Sequence, residues 1–178
     1  MVCDRCIAAV KETLEAHKIP VKRISLGQVQ ILAEHLDKEK LNEDLEKIGF
    51  SLVRDKNEIL TERVKALLID QIHYLDQPLK LNISDYLSQT LQMDYAVVSK
   101  IFSQTAHTTI EKFITVQKIE KVKELIEYGE LNFSEIAYKL NFSSVAHLSK
   151  RFKKVTGMTL SEYKNNNKFN RRPLDKLD

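Results

Sequence analysis

The sequence predicts a mainly α-helical chain with a small α+β domain at its N-terminal end, and three observations lead there. The 178 residues include only four glycines and three prolines, which is too few chain breakers for a sandwich or a barrel. From residue 81 onward every segment has helical spacing, and a pattern repeats at a period of about 50 residues. Residues 1–56 instead alternate short helical and extended segments.

The first 56 residues predict helices and strands in alternation. The predicted order is a helix over 7–17, strands over 21–26 and 29–33, a helix over 37–48 and a strand over 50–54. Val10 and Leu14 give the first helix its apolar face. A turn at Gly27 joins the two strands into a hairpin, and Asp37 and Gly49 mark the start and end of the second helix.

The chain's two cysteines, Cys3 and Cys6, form a C-x-x-C pair. In a cytoplasmic protein such a pair more often binds metal or does redox chemistry than forms a structural disulfide. With Met1 and the predicted elements after it, residues 1–56 resemble a heavy-metal-associated domain of the metallochaperone type. The resemblance implies a ferredoxin-like βαββαβ fold without its first strand. Either the chain begins upstream of Met1, or the fold has lost an edge strand.

The chemistry of the cysteine pair leaves three alternatives open. Thiolates at this spacing suit linear Cu(I) or another soft metal, with Cys3 and Cys6 as the ligands. Two ligands are too few for a closed zinc site unless a second chain completes four. Arg5 and the helix start beside the thiols favour metal binding or thiol redox sensing. In the third alternative the cysteines only pack.

Residues 57–79 connect the two halves, and residues 57–75 predict one amphipathic helix. Its apolar stripe consists of Val64, Leu67, Leu68, Ile72 and Leu75. The stripe packs either on the core of the monomer or on its copy in a second chain, which would give a homodimer. At the other end of the chain, residues 165–178 are polar and basic and predict a disordered tail.

Residues 80–164 predict two helix-turn-helix units joined by a helix. In the second unit the small Ala137 lets two helices cross closely, Leu140 and Phe142 bury the turn, and Leu148 and Phe152 anchor the second helix. The first unit repeats the pattern with Ser88, Leu91, Met93, Val98 and Phe102. The predicted helix starts are Asn82 or Ser84, Asp94, Asn132, and Ser143 or Ser144, and the predicted ends are Gly129 and Gly157.

Charge is concentrated in the last third of the chain. Residues 141–172 carry eight basic residues and one acidic residue, whereas the whole chain has a net charge of only +3. Such a patch indicates a polyanionic partner, and the alternative is a solvated basic tail. The face of the second helix opposite Leu148 and Phe152 carries Ser, Lys and Arg and is free to enter a major groove.

Here the sequence resembles the AraC/XylS family of bacterial transcription regulators, over about residues 80–164. The resemblance is carried by Ser134-Glu135-Ile136-Ala137 through Phe142, by Leu148-Ser149-Lys150-Arg151-Phe152-Lys153-Lys154, by Gly157 and by Ser161-Glu162-Tyr163. The joining helix fits through Gln117-Lys118-Ile119, Val122 and Leu125-Ile126. The resemblance implies sequence-specific binding of double-stranded DNA, with the two second helices in successive major grooves.

The resemblance also assigns candidate contacts. The family's base-reading positions fall on Ala96, Ser99 and Lys100 in the first unit and on Val145, Ala146, Ser149 and Lys150 in the second. Contacts to phosphate are expected from Ser143, Lys153, Lys154 and Lys164. The sequence departs from the family at His107, where glycine is usual, and at Leu160, where proline is common. We expect the first unit, with its mostly uncharged face, to read fewer bases.

An enzyme is the rival class. The sequence has no recognisable nucleophile–base pair, Gly-rich phosphate loop or carboxylate pair, so we expect no catalysis. A thiol oxidoreductase or a metal-handling protein that uses Cys3 and Cys6 is the alternative, but it leaves the second half unexplained. No apolar run approaches the roughly 18 residues of a membrane span, and the first residues do not resemble a secretory signal. We therefore expect a cytoplasmic protein without membrane contact.

Overall fold

The computed structural model describes residues 1, 3–33, 36–53, 55–74, 82–166 and 174. The chain divides into two compact units, Met1–Leu67 and Leu68–Asp178, whose boundary falls inside a helix. The described residues are mainly helical and contain one two-stranded sheet, which confirms the predicted fold class. Apart from Asn165, Asn166 and Leu174, the predicted disordered tail lies outside the described residues.

The N-terminal unit begins with a helix, a hairpin and a second helix, as predicted. The elements are α1 (Asp4–Ala16), β1 (Val21–Ser25), β2 (Gln28–Ile31) and α2 (Lys38–Lys47). The strands pair antiparallel around Gly27, whose φ of +73° suits a residue without a side chain. The Asp37 carboxylate accepts from the Lys40 amide at 3.1 Å, which confirms the predicted N-cap. The core of the unit consists of Val10, Leu14, Ile19, Leu41 and Leu45.

The strand predicted over 50–54 is wrong for its described part, since residues 50–53 are not in a strand. The backbone there bonds to α2 instead of to the sheet. The Phe50 amide donates to the Leu45 carbonyl at 2.8 Å, and the Leu52 amide donates to the Asn42 side chain at 2.7 Å. Within the described residues the sheet therefore has two strands, and the heavy-metal-associated resemblance is not confirmed.

The connecting helix runs as α3 (Lys56–Ile69) and continues into a π-helical turn, Asp70–Tyr74. A π-turn holds more residues than an α-turn, so it changes which side chains share a face. Val64 and Leu68 are fully buried and Ile72 is buried, whereas Leu67 is only partly so, and Leu75 lies outside the described residues. Burial within a single chain favours the alternative in which this stripe packs in the monomer.

The C-terminal unit contains six further helices among its described residues. They are α4 (Ile83–Leu91), α5 (Tyr95–Ala106), α6 (Ile110–Tyr128), α7 (Phe133–Lys139), α8 (Val145–Thr156) and α9 (Leu160–Asn165). Helices α4 and α5 form the first helix-turn-helix, α7 and α8 form the second, and α6 joins them. The helices α5 and α8 both have 12 residues and start 50 positions apart, as the sequence repeat predicts.

Side chains at the helix starts explain where these helices begin. Asn82, Asp94 and Asn132 each accept from amides of the first turn, and the Asn132 cap is a capping box with Glu135. Of the two predicted alternatives at α8, Ser144 is the cap. At the helix ends, Gly129 and Gly157 adopt left-handed conformations, as predicted, and so does His107 with φ +53°.

A hydrophobic core of the C-terminal unit lies between α6, α7, α8 and α9. Leu148 and Phe152 are fully buried there. Val98 and Phe102 of α5 lie outside this cluster and are also fully buried, so each second helix is anchored as predicted. The other buried residues of the core between α6 and α9 are Ile119, Val122, Leu125, Ile126, Ile136, Ala137, Leu140, Leu160 and Tyr163. These contacts fix the orientation of α8 and determine which of its faces meets solvent.

Candidate nucleic-acid interface

The solvent side of α8 gathers all the second-unit positions expected to contact bases. At 3.6 residues per turn, Val145, Ala146, Ser149 and Lys150 fall within an arc of about 140° around the helix. Ala146 and Lys150 are exposed, and Val145 and Ser149, on the other side of the arc, are partly buried. The fully buried Leu148 and Phe152 lie beyond the Val145 edge of this arc, on the side of the helix opposite Lys150. The arrangement leaves one helix face available for a groove.

The corresponding face of α5 carries less charge. Ala96 and Lys100 are exposed and Ser99 is partly buried, while Val98 and Phe102 hold the helix to its core. Lysine and arginine together contribute one residue to α5 but four to α8, and neither helix contains an acid. A helix with fewer cations makes fewer ionic contacts to a polyanion.

The residues expected to contact phosphate lie on three segments. Ser143 is exposed in the turn before α8, Lys153 and Lys154 are exposed in the last turns of α8, and Lys164 is exposed in the last turn of α9. The Lys164 ammonium lies 5.8 Å from the centre of the Phe133 ring. This contact places the α9 cation at the start of α7, the first helix of the second helix-turn-helix.

A chain of hydrogen bonds runs along α8 beside this face. The Ser143 hydroxyl and His147 Nδ1 are 3.0 Å apart, and Arg151 Nε donates to His147 Nε2 at 3.3 Å. In the tautomer whose Nε2 accepts, the ring proton lies on Nδ1 and is donated to Ser143. Sequence reasoning missed the roles of His147 and Arg151, although their spacing of four residues on a helix is a signal that could have found them.

The joining helix α6 contacts the turn between α7 and α8. The Lys118 ammonium lies 5.3 Å from the centre of the Phe142 ring, and the Phe142 ring meets His147 edge to face at 5.8 Å. Burial lowers the pKa of Lys118 because the charged form loses hydration. These contacts link α6 to the residues that precede α8.

A polar cluster lies on α6 and on the π-helical turn that contacts it. His73 Nε2 and Gln117 Oε1 are 3.0 Å apart, and the Lys121 ammonium donates to the His73 carbonyl at 3.1 Å. On the same helix, Lys123 pairs with Glu120 at 2.6 Å although both are buried. Buried polar groups of this kind constrain geometry because each must keep its partner. The π-turn is therefore held on the helix that joins the two helix-turn-helix units.

The candidate metal residues lie at the start of α1. Cys3 is the N-cap of the helix, Cys6 is in its first turn, and the two Sγ atoms are 3.3 Å apart. The structure thus brings together the two thiols that the sequence pairs. Among the described residues, no group of three or more His, Cys, Asp or Glu side chains is placed to hold a metal ion. The donor set there consists of two sulfur atoms.

The fold and the exposed faces of α5 and α8 together define a double helix-turn-helix domain. The helix-turn-helix domain family matches residues 87–166, which include both second helices and the helix between them. Within the described residues, no helix has the length and apolar character needed to cross a membrane.

Two curated relatives are regulators by description. The chain is 25% identical over 121 residues to the uncharacterized HTH-type transcriptional regulator YdeC of Bacillus subtilis (strain 168), covering 67% of this chain and 40% of the relative. It is also 25% identical over 137 residues to the probable transcriptional regulator LumQ of Photobacterium leiognathi, covering 74% and 54%. The chain thus spans about half the length of these relatives or less.

Solved structures share the fold. The C-terminal domain of AraT, a response regulator from Geobacillus stearothermophilus, has a TM-score of 0.52 at 20% identity and covers 67% of this chain and 97% of its own. ToxT from Vibrio cholerae has a TM-score of 0.54 at 16% identity and covers 91% of this chain and 67% of its own. At these identities the likenesses show a shared fold.

Proposed function

We propose that the chain is a sequence-specific DNA-binding transcription regulator whose helices α5 and α8 enter successive major grooves on one side of the DNA. The observation that carries the proposal is the repetition, 50 residues apart, of a capped second helix with a buried anchor and an exposed polar face. A major groove admits one α-helix, so two such helices need two grooves. We call α5 and α8 the reading helices.

The polar residues of the two faces divide into two roles in this proposal. Ala96, Ser99 and Lys100 on α5, and Val145, Ala146, Ser149 and Lys150 on α8, contact base edges. Lysine donates to guanine O6 and N7, serine contacts several bases, and alanine and valine meet a thymine methyl. Ser143, Lys153, Lys154 and Lys164 contact phosphate and position the domain without reading sequence. DNA binding through both reading helices of one chain needs no dimer contact at residues 57–75, where Val64 and Leu68 are already fully buried.

Selection of bound duplexes from a random-sequence pool, at near-physiological salt, tests the proposal. Enrichment of a motif that spans two adjacent major grooves would support a specific regulator that uses both reading helices. A motif of half that length would mean that α8 alone reads bases. Absence of enrichment, with binding that vanishes as salt rises, would contradict the proposal and leave only non-specific attraction to phosphate.

We further propose that the thiol or metal state of Cys3 and Cys6 controls this DNA binding. The 3.3 Å between the Sγ atoms supports it, because both sulfurs can then engage one metal ion or each other. Two thiols supply the two ligands of a soft metal such as Cu(I), whose linear coordination requires the sulfurs to move further apart than 3.3 Å. Tetrahedral zinc, with sulfurs about 3.8 Å apart at the usual bond length, needs two further ligands. Oxidation joins the same sulfurs in a disulfide and delivers two electrons and two protons to the oxidant.

The test compares DNA binding by the wild type and by a Cys3→Ser, Cys6→Ser double variant, under reductant, with the oxidant diamide, and with Cu(I). The proposal expects the wild-type affinity for the selected duplex to change with Cu(I) or with diamide, and the variant to respond to neither. Both proteins should bind equally under reductant. Equal affinities of the wild type under all three conditions would rule out control at this pair.

A further inference from the structure

One histidine of α8 holds a serine of the preceding turn and an arginine of the next helical turn. Ser143, His147 and Arg151 follow one another at intervals of four residues, so they form a stripe that begins before α8 and continues along one flank of it. The Ser143 hydroxyl lies 3.0 Å from His147 Nδ1, and Arg151 Nε donates to His147 Nε2 at 3.3 Å. Each nitrogen of the ring is therefore engaged by a different neighbour.

The ring of His147 also packs on the side of the joining helix. Phe142 meets it edge to face with centroids 5.8 Å apart, and the Lys118 ammonium of α6 lies 5.3 Å from the centre of the Phe142 ring. His147 is partly buried, whereas Ser143 and Arg151 are exposed. A packed ring thus lies between two polar side chains that face solvent.

The tautomer that makes both hydrogen bonds leaves donors free on either side of the ring. Its Nδ1–H is donated to the Ser143 oxygen, so the serine hydroxyl can give its own proton to another acceptor. Arg151 uses Nε, and the two terminal nitrogens of its guanidinium keep their fork of donors. Within the part of the chain that the structure describes, no carboxylate forms an ion pair with Arg151, and α8 contains no acidic residue. Free donors beside an uncompensated positive charge suit an anion.

The position of this stripe on the helix favours phosphate over bases. Arg151 lies about 100° around α8 from the exposed Lys150, on the side away from Ser149. If Lys150 points to the floor of a major groove, a side chain at that angle faces the wall of the groove, which is lined by phosphates. Ser143, at the other end of the stripe, is already among the residues proposed to contact phosphate.

We propose, on the basis of the proposed DNA-binding function, that Arg151 and Ser143 bind the phosphate backbone together and that His147 is the positioning residue for both. The guanidinium fork takes two phosphate oxygens, and the serine hydroxyl donates to an oxygen of the same strand. Because the ring orients both donors before DNA arrives, less conformational freedom is lost on binding. We call these three residues the phosphate clamp.

The experiment measures the affinity of the full chain for the selected duplex over a range of salt concentrations. Arg151→Ala should weaken binding about tenfold and lower the slope of log affinity against log salt by about 0.9, the value for one lost phosphate contact. Arg151→Lys keeps the charge but has no planar fork, so it should weaken binding by an intermediate amount. Arg23→Ala is the matched control, because it removes an exposed arginine from β1, and it should change neither quantity.

Two variants of His147 separate positioning from packing. Glutamine places a carbonyl acceptor at the reach of Nε2 and can still accept from Arg151, whereas the shorter asparagine reaches only as far as Nδ1. His147→Asn should therefore weaken binding about fivefold, the equivalent of one hydrogen bond, and His147→Gln should retain most of the affinity. Adding Arg151→Ala to His147→Asn should weaken binding little further, because the arginine has already lost its orientation. Urea unfolding of each variant shows that it is folded.

Four outcomes decide between the alternatives. Unchanged affinity and salt slope in Arg151→Ala, with a wild type that enriches a motif, would overturn the inference and leave the proposed function standing. A relaxed preference at one base pair would also overturn it, since Arg151 would then read a base. Additive losses for Arg151→Ala and His147→Asn would overturn the positioning role of the histidine. A wild type that enriches no duplex would instead refute the proposed function itself, and the phosphate clamp with it.

Discussion

The ring of Phe152 meets the ring of Tyr163 edge to face, with centroids 5.4 Å apart, and so ties α8 to α9. The first unit repeats this contact 50 residues earlier, where Phe102 meets Phe113 edge to face at 5.8 Å and ties α5 to α6. Each reading helix is therefore fixed by an aromatic pair to the helix that follows it. The internal repeat extends beyond the helix-turn-helix pairs into the elements that hold them in place.

The Phe152–Tyr163 pair should contribute strongly to the stability of the C-terminal unit. Phe152 is fully buried, so Phe152→Ala leaves a cavity and should lower the free energy of unfolding by about 3–5 kcal/mol. Tyr163→Phe keeps the ring and removes only the hydroxyl that donates to Glu127 at 2.8 Å, so it should cost about 1 kcal/mol. Urea unfolding followed by circular dichroism measures both, and equal losses for the two variants would contradict the ring contact.

His107 is expected to cost stability at the end of α5. It adopts φ +53°, a left-handed conformation that strains a residue with a Cβ, and its counterpart after α8 is Gly157. His107→Gly should therefore raise the free energy of unfolding of the C-terminal unit by about 1 kcal/mol. The reciprocal change, Gly157→Ala, should lower it by a similar amount. Hydrogen exchange of the α5 and α8 amides reports both effects, and a destabilised His107→Gly variant would refute the interpretation.

Asp44 should make the N-terminal unit sensitive to acid. Hydrogen bonds from Lys47 and then from His17 lower the pKa of Asp44 in the folded state. A lowered pKa contributes stability that is fully present above the pKa of the unfolded chain, about 3.9, and is lost as the pH falls through the folded value. Asp44→Asn should flatten the pH dependence of unfolding in that acid range, while Glu12→Gln, an exposed change on α1, should leave it as in the wild type. Identical acid profiles for Asp44→Asn and the wild type would contradict this.

The parts of the fold that the sequence predicts correctly depend on local chemistry. Asp37, Asp94 and Asn132 cap helices because their side chains reach amides two or three residues away. Leu148 and Phe152 are buried because they stand one helical turn apart opposite a polar face. Short-range patterns of this kind are visible in one sequence without knowledge of what packs against them.

The parts that the sequence does not predict depend on contacts between distant residues. Residues 50–53 have the composition of a strand. The Leu52 amide nevertheless donates to the Asn42 side chain on α2, ten positions away. The π-turn holds His73 against Gln117, 44 positions away, and no local pattern signals that pairing.

The central claim, that two reading helices occupy successive major grooves, is tested most directly by the variants Lys100→Ala and Lys150→Ala on the selected duplex. The two lysines hold equivalent exposed positions on α5 and α8. Each substitution should cost about 1–3 kcal/mol and relax the preference at one base pair. The two affected base pairs should lie about one helical turn, or 10 base pairs, apart. If both variants relax the same base pair, or lose affinity equally for every sequence, the claim is contradicted.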